Sequence, residues 1–295
     1  MNIKTRPVEY KDGKTTCVGY LAWDDNRADP LPGILINHAW GGLDGFAMDQ
    51  AVQMAALGYV GFAMDNYGGG ALPETDEDKA GYMTPLREDR KTLFKRLKAG
   101  YNAAAALDEI DETHMAAIGY CFGGLCTLDM ARGGLDLHAA VSFHGLLDAP
   151  EGLPKKKCKA SVLVCHGWDD PMATPDTVKA FGEDMATRNC DWQLHAYGQV
   201  VHSFTNPAAD NKKTVQSIMS LRTNVRQMRC WISYPKNSPS TVRTQYSFYE
   251  HNPRYRLIAR LLPRGAQAGL CLYRHGVHAR EHIFLDLMSG TGRDS

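Results

Sequence analysis

Apolar and polar positions follow two alternating periods along the first two thirds of this chain. Residues 1–24 carry short alternating runs on either side of Asp12-Gly13, which predicts a β-hairpin whose second strand runs from Thr16 to Trp23. Gly33-Ile34-Leu35-Ile36-Asn37-His38 is a buried strand. From Asp44 to Leu57, Met48, Val52 and Ala55 recur at helical spacing. Tyr59 to Met64 is the next strand, ending at Asp65, and residues 66–83, glycine-rich and acidic, read as a surface loop. A long helix is expected from about Pro85 to Ile110, with Leu86, Leu93, Leu97, Tyr101 and Ala105 facing inward. Met115 to Ile118 is apolar and runs into Gly119, after which Leu125 to Arg132 is helical. His138–Phe143 and Ala160–Cys165 are two more core strands. Thr174-Pro175 supplies a cap and an N1 proline for a helix striped by Val178, Phe181 and Met185. Trp192 to Tyr197 is the last strand. Strands alternating with helices predict a mostly parallel α/β sheet covered on both faces.

After Lys213 this alternation stops. Residues 1–214 hold 21 Lys+Arg and 29 Asp+Glu, whereas residues 215–295 hold 12 and 4, so a formal net charge of zero conceals two segments of opposite sign. Fourteen of the first 21 basic residues are lysine, and eleven of the last twelve are arginine. The chain therefore divides into a domain over 1–213 and an atypical, poorly structured Arg-rich tail over 214–295. Read back into codons from the third base, Thr214 to Ser238 can encode an amphipathic, capped helix of the kind a parallel sheet needs to cover its last strand. The single-codon residues Met219, Met228 and Trp231 constrain that reading. A frameshifted C-terminus is the expectation. The zero net charge gives no global support for nucleic-acid or membrane-surface binding, and no apolar run approaches the roughly 20 residues of a membrane helix. Eight cysteines without paired spacing and no visible signal peptide suggest reduced thiols in the cytoplasm.

The chemistry concentrates in Gly119-Tyr120-Cys121-Phe122-Gly123-Gly124, a G-x-C-x-G at a strand–helix junction. This is the cysteine form of the nucleophile elbow of α/β-hydrolases, which lifts one side chain above the sheet edge at the positive end of a helix. The fold requires the acid and the histidine to follow in that order. Gly167-x-x-Asp170 after a core strand offers the acid, with Asp169 the less favoured neighbour, and His202 lies in the loop after the last strand. Cys121 is then the nucleophile, His202 its base, and Asp170 the group that orients the imidazole. The backbone N–H groups of Phe122 and Trp40 are the oxyanion-hole candidates. Tyr67, Phe143, His144 and Phe204 are substrate-pocket candidates, although the first three are packing residues by default. His275, His278 and His282 could share a helix face but lie in the suspect tail, so no metal and no cofactor is expected. Gly68-Gly69-Gly70 lacks the Lys-Ser/Thr of a phosphate loop and reads as a flexible turn.

Six segments in order carry a family resemblance: His38-x-Trp40-x-Gly42-Leu43, Asp65-x-Tyr67-Gly68, Gly119 to Gly124, Ser142-Phe143-His144-Gly145, His166-Gly167-x-x-Asp170-Pro171 and His202 to Pro207. Over roughly residues 10–212 the chain resembles the dienelactone hydrolase (carboxymethylenebutenolidase) family. The resemblance implies a single-domain α/β-hydrolase with a Cys-Asp-His triad, no metal, and a small lactone or ester as substrate through an acyl-thioester. Family members usually carry a glutamate where this chain has Ala39, thought to hold the resting thiol out of line. The type enzyme has an arginine for the substrate carboxylate shortly after the triad histidine, where this chain has Asn206. Dienelactone itself is therefore not the favoured substrate. Ala39 and the tail also support a rival reading, a non-catalytic damaged product or a thiol redox sensor. The oligomeric state is left open.

Overall fold

The computed structural model describes residues 1–206. Eight strands form one sheet in the order β1-β2-β4-β3-β5-β6-β7-β8. β1 (Ile3–Asp12) and β2 (Thr15–Asp24) make the N-terminal hairpin, closed by a tight turn in which Gly13 takes a φ of 58°. β2 joins β4 (Val60–Met64) antiparallel. From β4 onward every pairing is parallel, through β3 (Leu31–Asn37), β5 (Ile110–Tyr120), β6 (Ala139–Phe143), β7 (Ser161–Gly167) and β8 (Asp191–Tyr197).

β4, β6 and β7 are buried along their whole length and β3 and β5 over their C-terminal parts, as a parallel sheet with helices on both faces requires. On one face, Leu93 and Leu97 of α3 (Arg90–Ala105), Leu125 and Leu128 of α4 (Phe122–Arg132) and Phe181 of α5 (Pro175–Thr187) pack with Leu35, Phe62, Ala117 and Val162. On the other face, α1 (Gly45–Ala56) lays Ala47, Ala51 and Met54 on Ile34, Ile36, Ala63 and Ile118. It is the only helix in that second core among the described residues. β8 sits at the sheet edge and has no fully buried residue.

Two expectations need correction. Residues 66–83 are not all loop: Asp76–Glu88 form a helix, α2, whose N-cap Thr75 accepts the Asp78 N–H at 3.1 Å and whose first turn carries Asp76, Glu77 and Asp78. That acidic turn suits the positive end of a helix. Nor does one helix run from Pro85 to Ile110. Asp89 ends α2 and caps α3, accepting from the Thr92 N–H at 3.0 Å and the Thr92 hydroxyl at 2.6 Å, while α3 stops at Ala105 and Ile110 already pairs with Leu31 in β5. Pro85 lies inside α2 rather than opening a helix. The glycine turn is also held: the Asp65 carboxylate accepts from Gly68 N–H at 2.7 Å, Gly70 N–H at 2.8 Å and Val18 N–H at 3.0 Å. The tail, its frameshift reading and His275, His278 and His282 lie outside the described residues.

Candidate active site

Cys121 stands between β5 and α4 with φ 55° and ψ −118°, a backbone setting that L residues rarely adopt. Its neighbours show why the bend holds. A Cβ on Gly119 would lie 1.9 Å from the Gly123 carbonyl oxygen, one on Gly123 2.1 Å from the Asn37 carbonyl oxygen, and one on Gly124 2.6 Å from Ser142 Oγ. The turn closes only because these three positions lack side chains. Thr127 Oγ1 accepts from Asn37 Nδ2 at 2.9 Å, fastening α4 to β3.

The ends of β7 and β8 bring two further groups to this point. Asp170 is buried, its Oδ1 accepting the Met172 N–H at 2.9 Å and its Oδ2 lying 2.8 Å from His202 Nδ1. Asp169, the rival, is exposed. The loop carrying His202 is tightly bent, with positive φ at Gln199 (62°) and Ser203 (60°). His202 Nε2 is buried with no hydrogen-bond partner, and Cys121 is the neighbouring group that joins Asp170 in favouring the charged ring. Burial alone would lower the His202 pKa, but the Asp170 carboxylate and the Cys121 thiol outweigh it and push the value up to about 10. The imidazole is therefore held as its cation at neutral pH. Burial pushes the Cys17 thiol up to about 11 and Cys165 to about 12, and Cys126 also well above the usual range. These are packing cysteines.

A second histidine stands beside the first. His144 is buried at φ 40°, with its ring 5.1 Å from that of His202. The Cys121 backbone N–H is shared between the Phe143 carbonyl and His144 Nδ1, both at 3.1 Å, and the tautomer that lets Nδ1 accept has Nε2 donating to Thr205 Oγ1 at 2.7 Å. Burial first, and the neighbouring His202 second, hold the His144 pKa well below the usual range, so it is neutral. His144 thus ties the Cys121 backbone to the loop that carries His202. With both ring nitrogens engaged it is a bridge, not the substrate contact considered from sequence.

The remaining candidates separate. Phe143 stacks on Tyr120 at 5.1 Å in the second core and fills space there rather than lining a pocket. Phe204 packs edge-on against His144 and Tyr197. Tyr67 stacks on Phe122 at 5.9 Å, meets His38 edge-on at 4.7 Å, and donates its hydroxyl to the Trp40 carbonyl at 2.9 Å. Burial raises its pKa far above the usual value, so it remains a donor. Phe122 opens α4, where the first N–H groups have no intrahelical partner. Trp40 is 36% exposed, and Lys79 of α2 lies over its ring at 5.3 Å. Tyr82 of α2 reaches Tyr67 at 5.3 Å. Sequence reading missed this aromatic rim because it took α2 for a loop.

It also missed an ionic network behind α4. Arg90 grips Asp129 with two bonds of 2.6 and 2.8 Å and Asp148 with one of 2.8 Å. Arg132 reaches Asp184 at 2.9 Å, and Arg188 reaches the same carboxylate at 2.9 Å. Arg132 and Asp129 are wholly buried. Among the described residues no group of three or more His, Cys, Asp or Glu side chains could hold a metal ion, and no helix is long and apolar enough to cross a membrane.

A doubly covered, mostly parallel sheet with a strained residue at the β5–α4 bend makes this protein an α/β-hydrolase. The family follows from comparison: the model of the dienelactone hydrolase family matches residues 18–229, and the chain belongs to that hydrolase family. An uncharacterised protein of Caenorhabditis elegans is 40% identical over 125 residues, spanning 41% of this chain and 79% of the relative. A Bradyrhizobium protein named "Probable 2-oxo-3-(5-oxofuran-2-ylidene)propanoate lactonase" is 23% identical over 184 residues, spanning 59% of this chain and 73% of its own. Among solved structures, a dienelactone hydrolase-like promiscuous phosphotriesterase from metagenomic libraries superposes with a TM-score of 0.70 at 32% identity, covering 79% of this chain and 97% of that one.

Proposed function

We propose that the protein hydrolyses a small lactone or ester through a covalent thioester on Cys121, with His202 and Asp170 completing a triad. The observation that carries this reading is the His202 imidazole, fixed at 2.8 Å by Asp170 with its Nε2 buried and unpartnered, and influenced by Cys121 at the elbow. An imidazolium there stabilises the Cys121 thiolate, and a thiolate is the nucleophilic form.

The sulfur attacks the acyl carbon, and the carbonyl oxygen becomes an oxyanion. The Phe122 N–H at the start of α4 and the Trp40 N–H after β3 are the donors for it, each worth on the order of 3 kcal/mol of barrier. As the C–O bond breaks, His202 gives its proton to the leaving oxygen. Water then attacks the thioester, with neutral His202 taking its proton and the thiolate leaving. Asp170 keeps the proton on Nδ1 whenever the imidazole is neutral. For a lactone both product groups stay on one molecule. The aromatic rim of Trp40, Tyr67 and Tyr82 favours a flat or apolar acyl group. The lactonase and phosphotriesterase relatives add lactones and phosphotriesters to the panel worth assaying.

The test is p-nitrophenyl acetate and a set of small lactones with wild type, Cys121→Ala and His202→Ala, alongside intact-mass trapping of the acyl-enzyme. An acyl adduct on Cys121 and loss of turnover in both variants are expected. Turnover that survives Cys121→Ala would overturn the assignment.

A further inference from the structure

His38 directly follows β3 and is wholly buried. Its two ring nitrogens meet groups of opposite kind. Nδ1 lies 2.6 Å from the Ala39 carbonyl oxygen, which can only accept, and Nε2 lies 3.2 Å from the Asn66 backbone N–H, which can only donate. Those partners put the ring proton on Nδ1. Burial holds the His38 pKa below the usual 6.5, so the ring is neutral, as this pairing requires. A peptide unit is planar, and its C=O and N–H point in opposite directions, so holding one aims the other. The carbonyl that His38 holds belongs to the unit ending in the Trp40 N–H. The Gly42 N–H reaches the same carbonyl at 3.3 Å, the longer of the two bonds. The next unit is anchored as well, its Trp40 carbonyl accepting the Tyr67 hydroxyl at 2.9 Å. Among the described residues the Trp40 N–H itself donates to nothing. The far side of the ring is braced: Asn66 Nδ2 donates to Asn37 Oδ1 at 3.1 Å, and Arg96 donates to the Asn66 and Tyr67 carbonyls at 3.4 and 2.7 Å.

We propose that His38, with Tyr67 beside it, is a positioning residue for the oxyanion hole: the two side chains lock the peptide planes on either side of Trp40 so that its N–H is aimed before substrate arrives. The inference rests on the reading that Cys121 is acylated and that the Trp40 N–H receives the oxyanion. Neither side chain exchanges a proton with substrate. His38 acts through one carbonyl, and its contribution is to spare the donor any reorientation as charge develops on the oxygen. The Gly42 bond remains when His38 is changed, so the donor is loosened rather than lost.

The experiment compares two reactions of Cys121 in the full-length chain, each adduct located by peptide mass. Acylation by p-nitrophenyl acetate passes through an oxyanion, whereas alkylation by iodoacetamide displaces iodide and forms none. In His38→Gln the amide reaches the place of Nε2 and can serve the Asn66 N–H but not the Ala39 carbonyl. In His38→Asn the shorter amide takes the place of Nδ1 and still donates to that carbonyl. His38→Gln is expected to slow acylation roughly 10–100-fold at little changed half-saturation, with alkylation within about twofold of wild type, while His38→Asn acylates within about threefold of wild type. Tyr67→Phe, which loses only the hydroxyl, is expected to slow acylation roughly 3–10-fold with alkylation unchanged, and it carries the test should His38→Gln fail to fold. Equal losses in the Gln and Asn variants, alkylation that falls in step with acylation, or a Tyr67→Phe chain that acylates as fast as wild type overturns this inference and leaves the triad reading standing. A wild-type chain that forms no acyl adduct on Cys121 overturns both.

Discussion

Removing the Cys121 sulfur is expected to release the His202 proton. In the intact site burial opposes the imidazolium, and Asp170 together with Cys121 reverses that, taking His202 from the usual 6.5 to about 10. At about 1.4 kcal/mol per pH unit, that rise corresponds to roughly 5 kcal/mol of preference for the charged ring. The ring's side chain is only 15% exposed, so solvent screens little of it. Cys121→Ala keeps Asp170 and loses the sulfur, and one opposite charge at contact range is worth roughly 1–3 pH units. The His202 titration is expected to fall by that amount, read from the ring carbon between the nitrogens by NMR over pH 5–11. Stability follows the same linkage. The folded-state pKa lies above the unfolded one, so the contribution is complete below about pH 6.5 and is lost progressively as pH rises through about 10. A wild-type His202 that titrates near 6.5, or one that Cys121→Ala leaves unmoved, refutes the ion-pair reasoning.

Other tests follow from the same geometry. Gly123→Ala places a methyl 2.1 Å from a backbone oxygen and is expected to abolish soluble expression or cost more than ~3 kcal/mol in denaturant melts; a silent substitution would contradict the packing at the bend. His144→Gln removes the bridge between the Cys121 N–H and Thr205 and is expected to lower kcat by roughly 10–100-fold with KM little changed, whereas an equal loss in KM would make it a substrate contact. Asp129→Leu removes the buried carboxylate that Arg90 grips with two bonds and is expected to cost about 3–5 kcal/mol, a Tm drop of roughly 10 °C; a drop under two degrees would mean that solvent reaches the network.

What could be read from the chain was whatever depends on local period or local bend. The parallel core strands announced themselves as apolar runs, and the Cys121 elbow as glycines at fixed spacing. The Asp170–His202 approach was legible through chain order, since the fold fixes which strand end precedes which. The α2 error came from composition: Gly68 to Gly70 and the acidic residues suggested loop, while Thr75 with Asp78 three positions on was a capping signal passed over. Pro85 then drew the helix start too late. The His144 bridge could not have been read, because its partners lie 23 and 61 positions away and only the sheet brings them together. The same holds for Arg90, Asp129, Arg132 and Asp184: each is an ordinary surface-type residue until three helices meet.

The crowding around residues 119, 123 and 124 has a consequence for how such a protein can diversify. Backbone oxygens and a serine hydroxyl occupy the space any side chain there would need, so those three positions are closed to change. Position 121 does carry a side chain, and its awkward torsion angles are imposed by the surroundings rather than by sulfur. A hydroxyl could therefore replace the thiol at position 121 while the hinge beneath it stayed frozen.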